Sequence, residues 1–360
     1  MSAPTGRTPS IRWPVAVLGA TGAVGQTFIR LLAAHPWFDL QEVAASERSA
    51  GRPYAEAARW LEGAMPANVA TKNVLPCDPA HVRAPIVFSA LDASVAGEVE
   101  AAFARAGRYV LSNAKNFRME PDVPLVIPEV NGRHLELLPE QRRRRGWNGA
   151  IITNANCAAT VVAMATAPIQ EAFGIRQLFI TTMQAVSGAG YPGVPSLDIL
   201  GNVIPYISDE EDKIERELPK LLGRLHENQI VPAGLRVSAQ ANRVPVEHGH
   251  TACLAMSLER PATPDEAMAA LREWRGAPGV AGLPSAPNPP IVVSDDPARP
   301  QARRDVNAGG GMSVVVGRVR PDPLLDLRMV ALGHNTVRGA AGGSVLNAEL
   351  LVASGAVARA

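Results

Sequence analysis

The sequence predicts an α/β chain, an N-terminal doubly wound parallel sheet joined to an α+β domain built on a mixed sheet. Three observations carry that prediction. Short apolar runs alternate with helical segments up to about residue 150. A glycine-rich turn separates the first such run from the first helical segment. Beyond it the strands lengthen, several alternate in polarity, and they outnumber the helices between them. At 360 residues the chain exceeds what one core ordinarily fills. Two domains are expected, 1–155 with a returning C-terminal helix at 339–360, and 156–338.

The first strand is Pro14 to Leu18, running into Gly19-Ala20-Thr21-Gly22-Ala23-Val24-Gly25, after which Gln26 to Ala34 keeps helical spacing through Phe28, Ile29, Leu31 and Leu32. Strand, glycine turn and helix in that order suit a dinucleotide pyrophosphate. Glycine permits the tight turn, and the free N–H groups of the helix start attract anions. The spacing is GxxGxxG rather than GxGxxG, and a tight turn with no nucleotide is the bland alternative. The second strand, Leu40 to Ala45, ends at Ser46-Glu47-Arg48-Ser49. An NAD site usually has an acidic residue there; Ser46, Arg48 and Ser49 suit a 2′-phosphate, which favours NADP, with Glu47 dissenting. Strands at Pro85 to Ala90 and Arg108 to Leu111 and a helix at Val95 to Ala106 extend the alternation.

In the second half, Gln177 to Met183, Arg236 to Ala241, His250 to Leu258, Ser313 to Val319 and Leu327 to Leu332 read as strands of a mixed sheet with helices on one face. Pro284 to Pro290 and Asn307 to Gly311 are loops, and Gly339 to Ala358 is a helix able to pack back on the first domain.

Bulk properties narrow the function. Net charge is +1, pI about 7.8 and mean hydropathy +0.03, which argues against a nucleic-acid or membrane-surface binder. The run Arg142-Arg143-Arg144-Arg145 reads as a solvated loop within Pro139 to Gly146. Cys77, Cys157 and Cys253 lack disulfide or zinc-ligand spacing, so no metal is expected and a reducing cytoplasm is. Residues 1–13 have no apolar signal core, and no apolar run is long enough to span a membrane.

Cys157 stands between the apolar stretch Ala150-Ile151-Ile152 and the helical segment Ala158 to Ala167. Backbone N–H groups and the helix dipole lower a thiol pKa at such a place, where an enzyme would put a nucleophile for a carbonyl or acyl phosphate. A small buried hydrophobe is the alternative. Such a thiol needs a base and an acidic substrate needs a guanidinium; Arg243 and His250 lie near the ends of one short segment, with His248 competing for the base. The charged segment Glu210 to Glu217 is by itself most simply a solvated helix start.

Taken together, the glycine turn, Asn156-Cys157, Gln184 to Gly190, Arg243 to Val246, Gly249-His250, Pro124 to Asn131 and His334 to Ala341 resemble the aspartate-β-semialdehyde dehydrogenase family over nearly the whole chain. Asn202 to Ile207 and Glu210 to Glu215 are similar to its archaeal and fungal branch. The resemblance implies a Rossmann-like cofactor domain and NADP-dependent reductive dephosphorylation of L-aspartyl 4-phosphate. It implies Cys157 as nucleophile, His250 as general acid/base and Gln184 as orienter of the acyl intermediate. Arg243 would bind the α-carboxylate, Glu210 the α-ammonium, and Lys213 and Arg118 the phosphate, with Asn156 beside them. Gly19, Thr21, Gly22, Ala23, Val24 and Gly25 would hold the cofactor pyrophosphate, Asn335 would lie near the nicotinamide, and Ser187 and Gly188, within Ser187 to Gly190, would line the cofactor cleft. A homodimer or homotetramer joined through the second domain's sheet is implied, with no nucleic-acid or membrane partner. The family often has Pro-Asn-Cys-Ser-Thr where this chain has Ala155-Asn156-Cys157-Ala158-Ala159. A related acyl reductase, such as one acting on malonyl-CoA, has no α-ammonium for Glu210 to meet. A silent paralogue would have lost one of Cys157, Gln184, Arg243 or His250, and all four are present.

Overall fold

The computed structural model describes residues 12–357. The reading of 1–13 as free of a signal segment therefore falls, for 1–11, outside the described residues, as do 358–360 of the C-terminal segment.

The first sheet is parallel throughout. Its strands are β1 (Trp13–Leu18), β2 (Phe38–Ala45), β3 (Leu75–Pro76), β4 (Ile86–Ser89), β5 (Tyr109–Ser112), β6 (Leu125–Val126) and β7 (Ala150–Asn154), in the spatial order β3-β2-β1-β4-β5-β7-β6. β4, β5 and β7 are buried at every position, which is why they read as short unbroken apolar runs. The order reverses direction between β1 and β4, the place where open α/β sheets bind ligands beyond the strand ends. The helix Gly342–Ala353 returns here and packs Val345, Leu346, Ala348 and Leu351 into the core under this sheet. It is preceded by a π-helical turn, Val337–Ala341.

The second sheet comprises β8 (Ile175–Gln184), β11 (Arg236–Arg243), β12 (His250–Leu258), β13 (Ile291–Ser294), β14 (Val314–Pro321) and β15 (Leu327–Gly333); β9 (Arg224–His226) and β10 (Gln229–Val231) form a separate hairpin. Its order is β11-β8-β12-β15-β14-β13. The outer pairs β11–β8 and β13–β14 are parallel and the inner pairs antiparallel, so the sheet is mixed. Alternation along β8 and β12 sends Leu178, Ile180, Ala252, Leu254 and Met256 into the core with the helix Cys157–Phe173. The opposite positions, Phe179, Thr181 and Cys253, are exposed, so this face of the sheet is open in the single chain.

One expectation is overturned. Pro139 to Gly146 is not a loop but the helix Leu138–Arg145, closed by Gly146 in the left-handed conformation at φ 63°. Proline near the helix start, arginines at its C-terminal end and Glu140 spaced to meet Arg143 and Arg144 all favour the helix. The two-residue strands β3 and β6 carry too few residues to show a period, and sequence reading passed over them, as it did β13.

Candidate active site

The nucleophile candidate is placed by a helix cap. β7 delivers the chain to Asn156, whose Oδ1 accepts from the N–H groups of Ala158 (2.9 Å) and Ala159 (3.0 Å). Cys157 is thus the first helical residue. Ala158 and Ala159 are buried in the core beneath, their amides already satisfied by the cap. The second sheet brings the partners. Gln184 ends β8 and is the register partner of Arg243, which ends β11. His250 opens β12, antiparallel to β8. Three neighbouring strand ends therefore converge where the Cys157 helix begins, and His250 Nε2 lies 3.2 Å from Cys157 Sγ. His250, not His248, meets the sulfur; the His248 ring packs on that of His334 at 4.9 Å.

The electrostatics reverse one expectation. The helix start was expected to lower the Cys157 thiol, yet burial and, after it, the Glu210 carboxylate push it up to about 12, outweighing Arg118, the Ala158 N–H and Arg243. Burial, then Arg243 and His334, pull His250 down to about 3. Burial thus favours the uncharged thiol and the uncharged imidazole of this pair. His250 Nδ1 accepts from the backbone N–H of Ala185 at 3.1 Å.

The helix Glu210–Leu221 forms the opposing wall, and its polar face turns inward. Glu210 Oε1 accepts from Asn156 Nδ2 (2.7 Å) and Gln184 Nε2 (3.2 Å). Lys213 Nζ stands 3.6 Å from Glu210 Oε2. Two residues on this face escaped the sequence reading. Glu217 bonds Arg118 Nη1 (2.9 Å) through one oxygen and the Asn156 N–H (2.7 Å) through the other. Lys220 donates to the carbonyls of Arg118, Glu120 and Val123 at 2.7–2.9 Å, pinning the loop that carries Arg118. Arg118 also donates to Asn113 O at 2.6 Å. The signal available was the spacing 210, 213, 217, 220, one helical stripe. Arg243 donates to Ala185 O at 2.8 Å and is 6% exposed. Cys157, His250, Gln184, Arg243, Glu210, Lys213, Asn156 and Arg118 thus share one connected cluster.

The cofactor-type residues sit in two groups. At the turn, Gly19 has φ +69°, and a Cβ there would lie 2.5 Å from Ala90 O; a Cβ on Gly25 would lie 2.2 Å from Gly19 O. Both glycines are steric requirements. Gly22 closes the turn, its N–H donating to Gly19 O at 3.0 Å, and its Cβ position is nearly free. No side chain caps the helix Ala23–Leu32 and no acid stands in its first turn, so this helix start, with Thr21, Ala23 and Val24, suits a pyrophosphate. Ser46 and Arg48 are exposed and Ser49 half-buried at the tip of β2; Glu47 is exposed too. The second group adjoins the catalytic cluster. Asn335 Nδ2 donates to Ser187 Oγ (2.8 Å), its Oδ1 accepts from Gly249 N–H (2.9 Å), and a Cβ on Gly188 would come within 2.9 Å of Arg243 Nη1. The π-helical turn touches the nucleophile directly, since a Cβ on Gly339 would fall 2.6 Å from Cys157 Cβ. It is tied down by the buried bidentate pair Arg338–Glu129.

Comparison with known proteins identifies the family. The family model "Semialdehyde dehydrogenase, NAD binding domain" matches residues 14–138, and "Semialdehyde dehydrogenase, dimerisation domain" matches 166–338. The aspartate-semialdehyde dehydrogenase of Archaeoglobus fulgidus is 49% identical over 95% of this chain and 98% of its own length. That of Methanothermobacter thermautotrophicus is 51% identical over 94% and 98%. The structure of aspartate semialdehyde dehydrogenase with NADP from Candida albicans superposes with a TM-score of 0.89 at 44% identity, covering 96% of this chain and 100% of that one. The chain belongs to the aspartate-semialdehyde dehydrogenase family, alongside archaeal and fungal members.

Proposed function

We propose that the chain catalyses the NADP-dependent reductive dephosphorylation of L-aspartyl 4-phosphate to L-aspartate 4-semialdehyde through a thioester on Cys157. The observation that carries this reading is the 3.2 Å approach of Cys157 Sγ to His250 Nε2, inside a wall of alternating charge from Glu210, Lys213, Arg118 and Arg243. Arg243 meets the α-carboxylate as a fork. Glu210 meets the α-ammonium, and Lys213 with Arg118 meets the phosphate. Gln184 and Asn156 orient the acyl group. The Cys157 sulfur bonds to the acyl carbon as the C–O bond to phosphate breaks, and hydrogen phosphate departs with the thiol proton. The turn from Gly19 to Gly25 with Ser187, Gly188 and Asn335 would hold the dinucleotide, and Ser46, Arg48 and Ser49 would take its 2′-phosphate; when bound in reduced form it would supply hydride to the acyl carbon, from which the Cys157 sulfur would depart and regain a proton as the aldehyde is released.

The match to a dimerisation domain marks the chain as part of a homo-oligomer. We place the contact on the open face around Phe179 and Cys253, giving a dimer or a dimer of dimers, which light scattering with and without Phe179→Glu tests. Among the described residues no helix is long and apolar enough to cross a membrane. Three free cysteines suit a reducing cytoplasm. The deciding experiment is kinetic: purified protein with semialdehyde, phosphate and NADP should generate reduced-nicotinamide absorbance, and Cys157→Ala should abolish it. Full activity in Cys157→Ala would sink the mechanism, and equal efficiency with NAD would remove the role given to Ser46, Arg48 and Ser49.

A further inference from the structure

His248 does not meet the Cys157 sulfur, and the reaction as given leaves it unused, yet its surroundings are specific. Its half-buried ring packs on that of His334 at 4.9 Å, tilted by 30°. Its Nδ1 lies 3.0 Å from Ser187 Oγ, and its Nε2 lies 3.7 Å from the exposed carboxylate of Glu247. Ser187 Oγ also accepts the 2.8 Å bond from Asn335 Nδ2. The direction of that bond is fixed, because Asn335 Oδ1 accepts from the Gly249 N–H at 2.9 Å and the amide cannot turn over without losing it. A serine hydroxyl has one proton and two lone pairs, and Asn335 occupies one of the lone pairs. The state of His248 therefore decides what Ser187 has left for a ligand.

We propose that His248 is a positioning residue for the cofactor: uncharged, it holds Ser187 as an acceptor for the amide N–H group of the nicotinamide, and on protonation it takes that acceptor away. The proposal rests on the cofactor placement given above and adds a pH dependence to its nicotinamide end. A neutral ring with its proton on Nε2, the nitrogen nearer Glu247, accepts the Ser187 proton at Nδ1. The second lone pair of Ser187 then stays open for a donor. A doubly protonated ring presents an N–H at Nδ1, fills that lone pair and turns the hydroxyl proton elsewhere. Two titratable neighbours act on the ring directly. Glu247, on its own segment, favours the charged form, and His334 provides the platform. Burial, then His248 and Arg30, pull His334 down to about 4 against Glu62, which favours an uncharged platform. Arg30 and Glu62 are themselves paired at 2.7 Å.

Calorimetric titration of NADP into the intact protein and into His248→Asn, from about pH 8.5 to about pH 5.5, tests this. Asparagine offers Oδ1 where histidine has Nδ1 and takes no second proton. The 2′-phosphate titrates in the same range but is common to both proteins, so it cancels in the ratio of their Kd values. The two should bind alike at the alkaline end, and the unaltered protein should become the weaker by about three- to tenfold at the acid end, the effect of one hydrogen bond. Adenosine 2′,5′-bisphosphate, which has no nicotinamide, should give a flat ratio. Ser187→Ala is a second, independent variant. It should bind NADP about three- to tenfold more weakly than the unaltered protein at the alkaline end and match it at the acid end. A flat ratio for NADP overturns the proposal, and so does an equal slope with the bisphosphate or a Ser187→Ala deficit that is constant with pH. Absence of binding of either ligand to the unaltered protein at every pH would instead overturn the cofactor placement, and the proposal with it.

Discussion

Two segments of this chain are equally dense in charge and have opposite fates. The helix Leu138–Arg145 shows Arg143 and Arg144 to solvent, paired with Glu140. The helix Glu210–Leu221 turns Glu210, Glu217 and Lys220 inward until each is at most 6% exposed. The difference lies in what is interleaved. Ile214, Leu218 and Leu221 make one side of the second helix a core surface, so its adjacent charged stripe is carried under cover. Only Leu138 and Gln141 are buried in the first. Charge density says little about exposure; the apolar residues woven through it say more.

That contrast can be broken by substitution. Glu217→Ala should have the largest effect, a stability loss of about 3–5 kcal/mol by denaturant melt, because it strands a buried guanidinium. Its KM for phosphate should rise more than its KM for semialdehyde; loss of less than about 1 kcal/mol would return this face to the solvated class.

Among the described residues, Glu100 is a buried carboxylate without a close ion partner. Burial raises it from 4.5 to about 7 against the opposing hydroxyls of Ser89 and Ser112 and the charge of Arg118. The folded state then binds the proton more tightly than the unfolded one. Stability should therefore fall as pH rises from about 4.5 to about 7 and stay lower above that. Glu100→Gln should flatten this dependence and stabilise the protein by about 3 kcal/mol at pH 8, with no gain at pH 4. A gain that is the same at both pH values would contradict the buried charge.

Lys220→Met, which leaves three carbonyls without their donor, should cost about 2 kcal/mol and loosen the Arg118 loop, again read as a raised KM for phosphate. Smallest of all, Arg143→Ala and Arg144→Ala should melt within the scatter of the parent protein, since exposed pairs contribute little. A clear drop would make the arginine run structural after all.

How much of this was legible in the sequence follows from the range of each constraint. The turn at Gly19 to Gly25 was readable because much of its requirement is local; Gly19 has φ +69°, and a Cβ on Gly25 would strike Gly19 O within the same turn. The alternation of β12 was readable from His250 to Leu258 because one face is core and the other open. The Arg118–Glu217 pair was not, since its members are 99 residues apart and nothing in either neighbourhood announces the other. The thiol of Cys157 misled for the same reason. The favourable helix start is local, while the burial and the Glu210 carboxylate that outweigh it come from the tertiary fold.

The central claim is that Cys157, and no other cysteine, carries the acyl group. Mixing the enzyme with semialdehyde and NADP without phosphate, quenching in acid and mapping peptides by mass tests it most directly. The account predicts one aspartyl adduct per chain, confined to the peptide containing Cys157 and absent from Cys157→Ser. Reduced nicotinamide formed with no adduct, or with the adduct on Cys77 or Cys253, would contradict it.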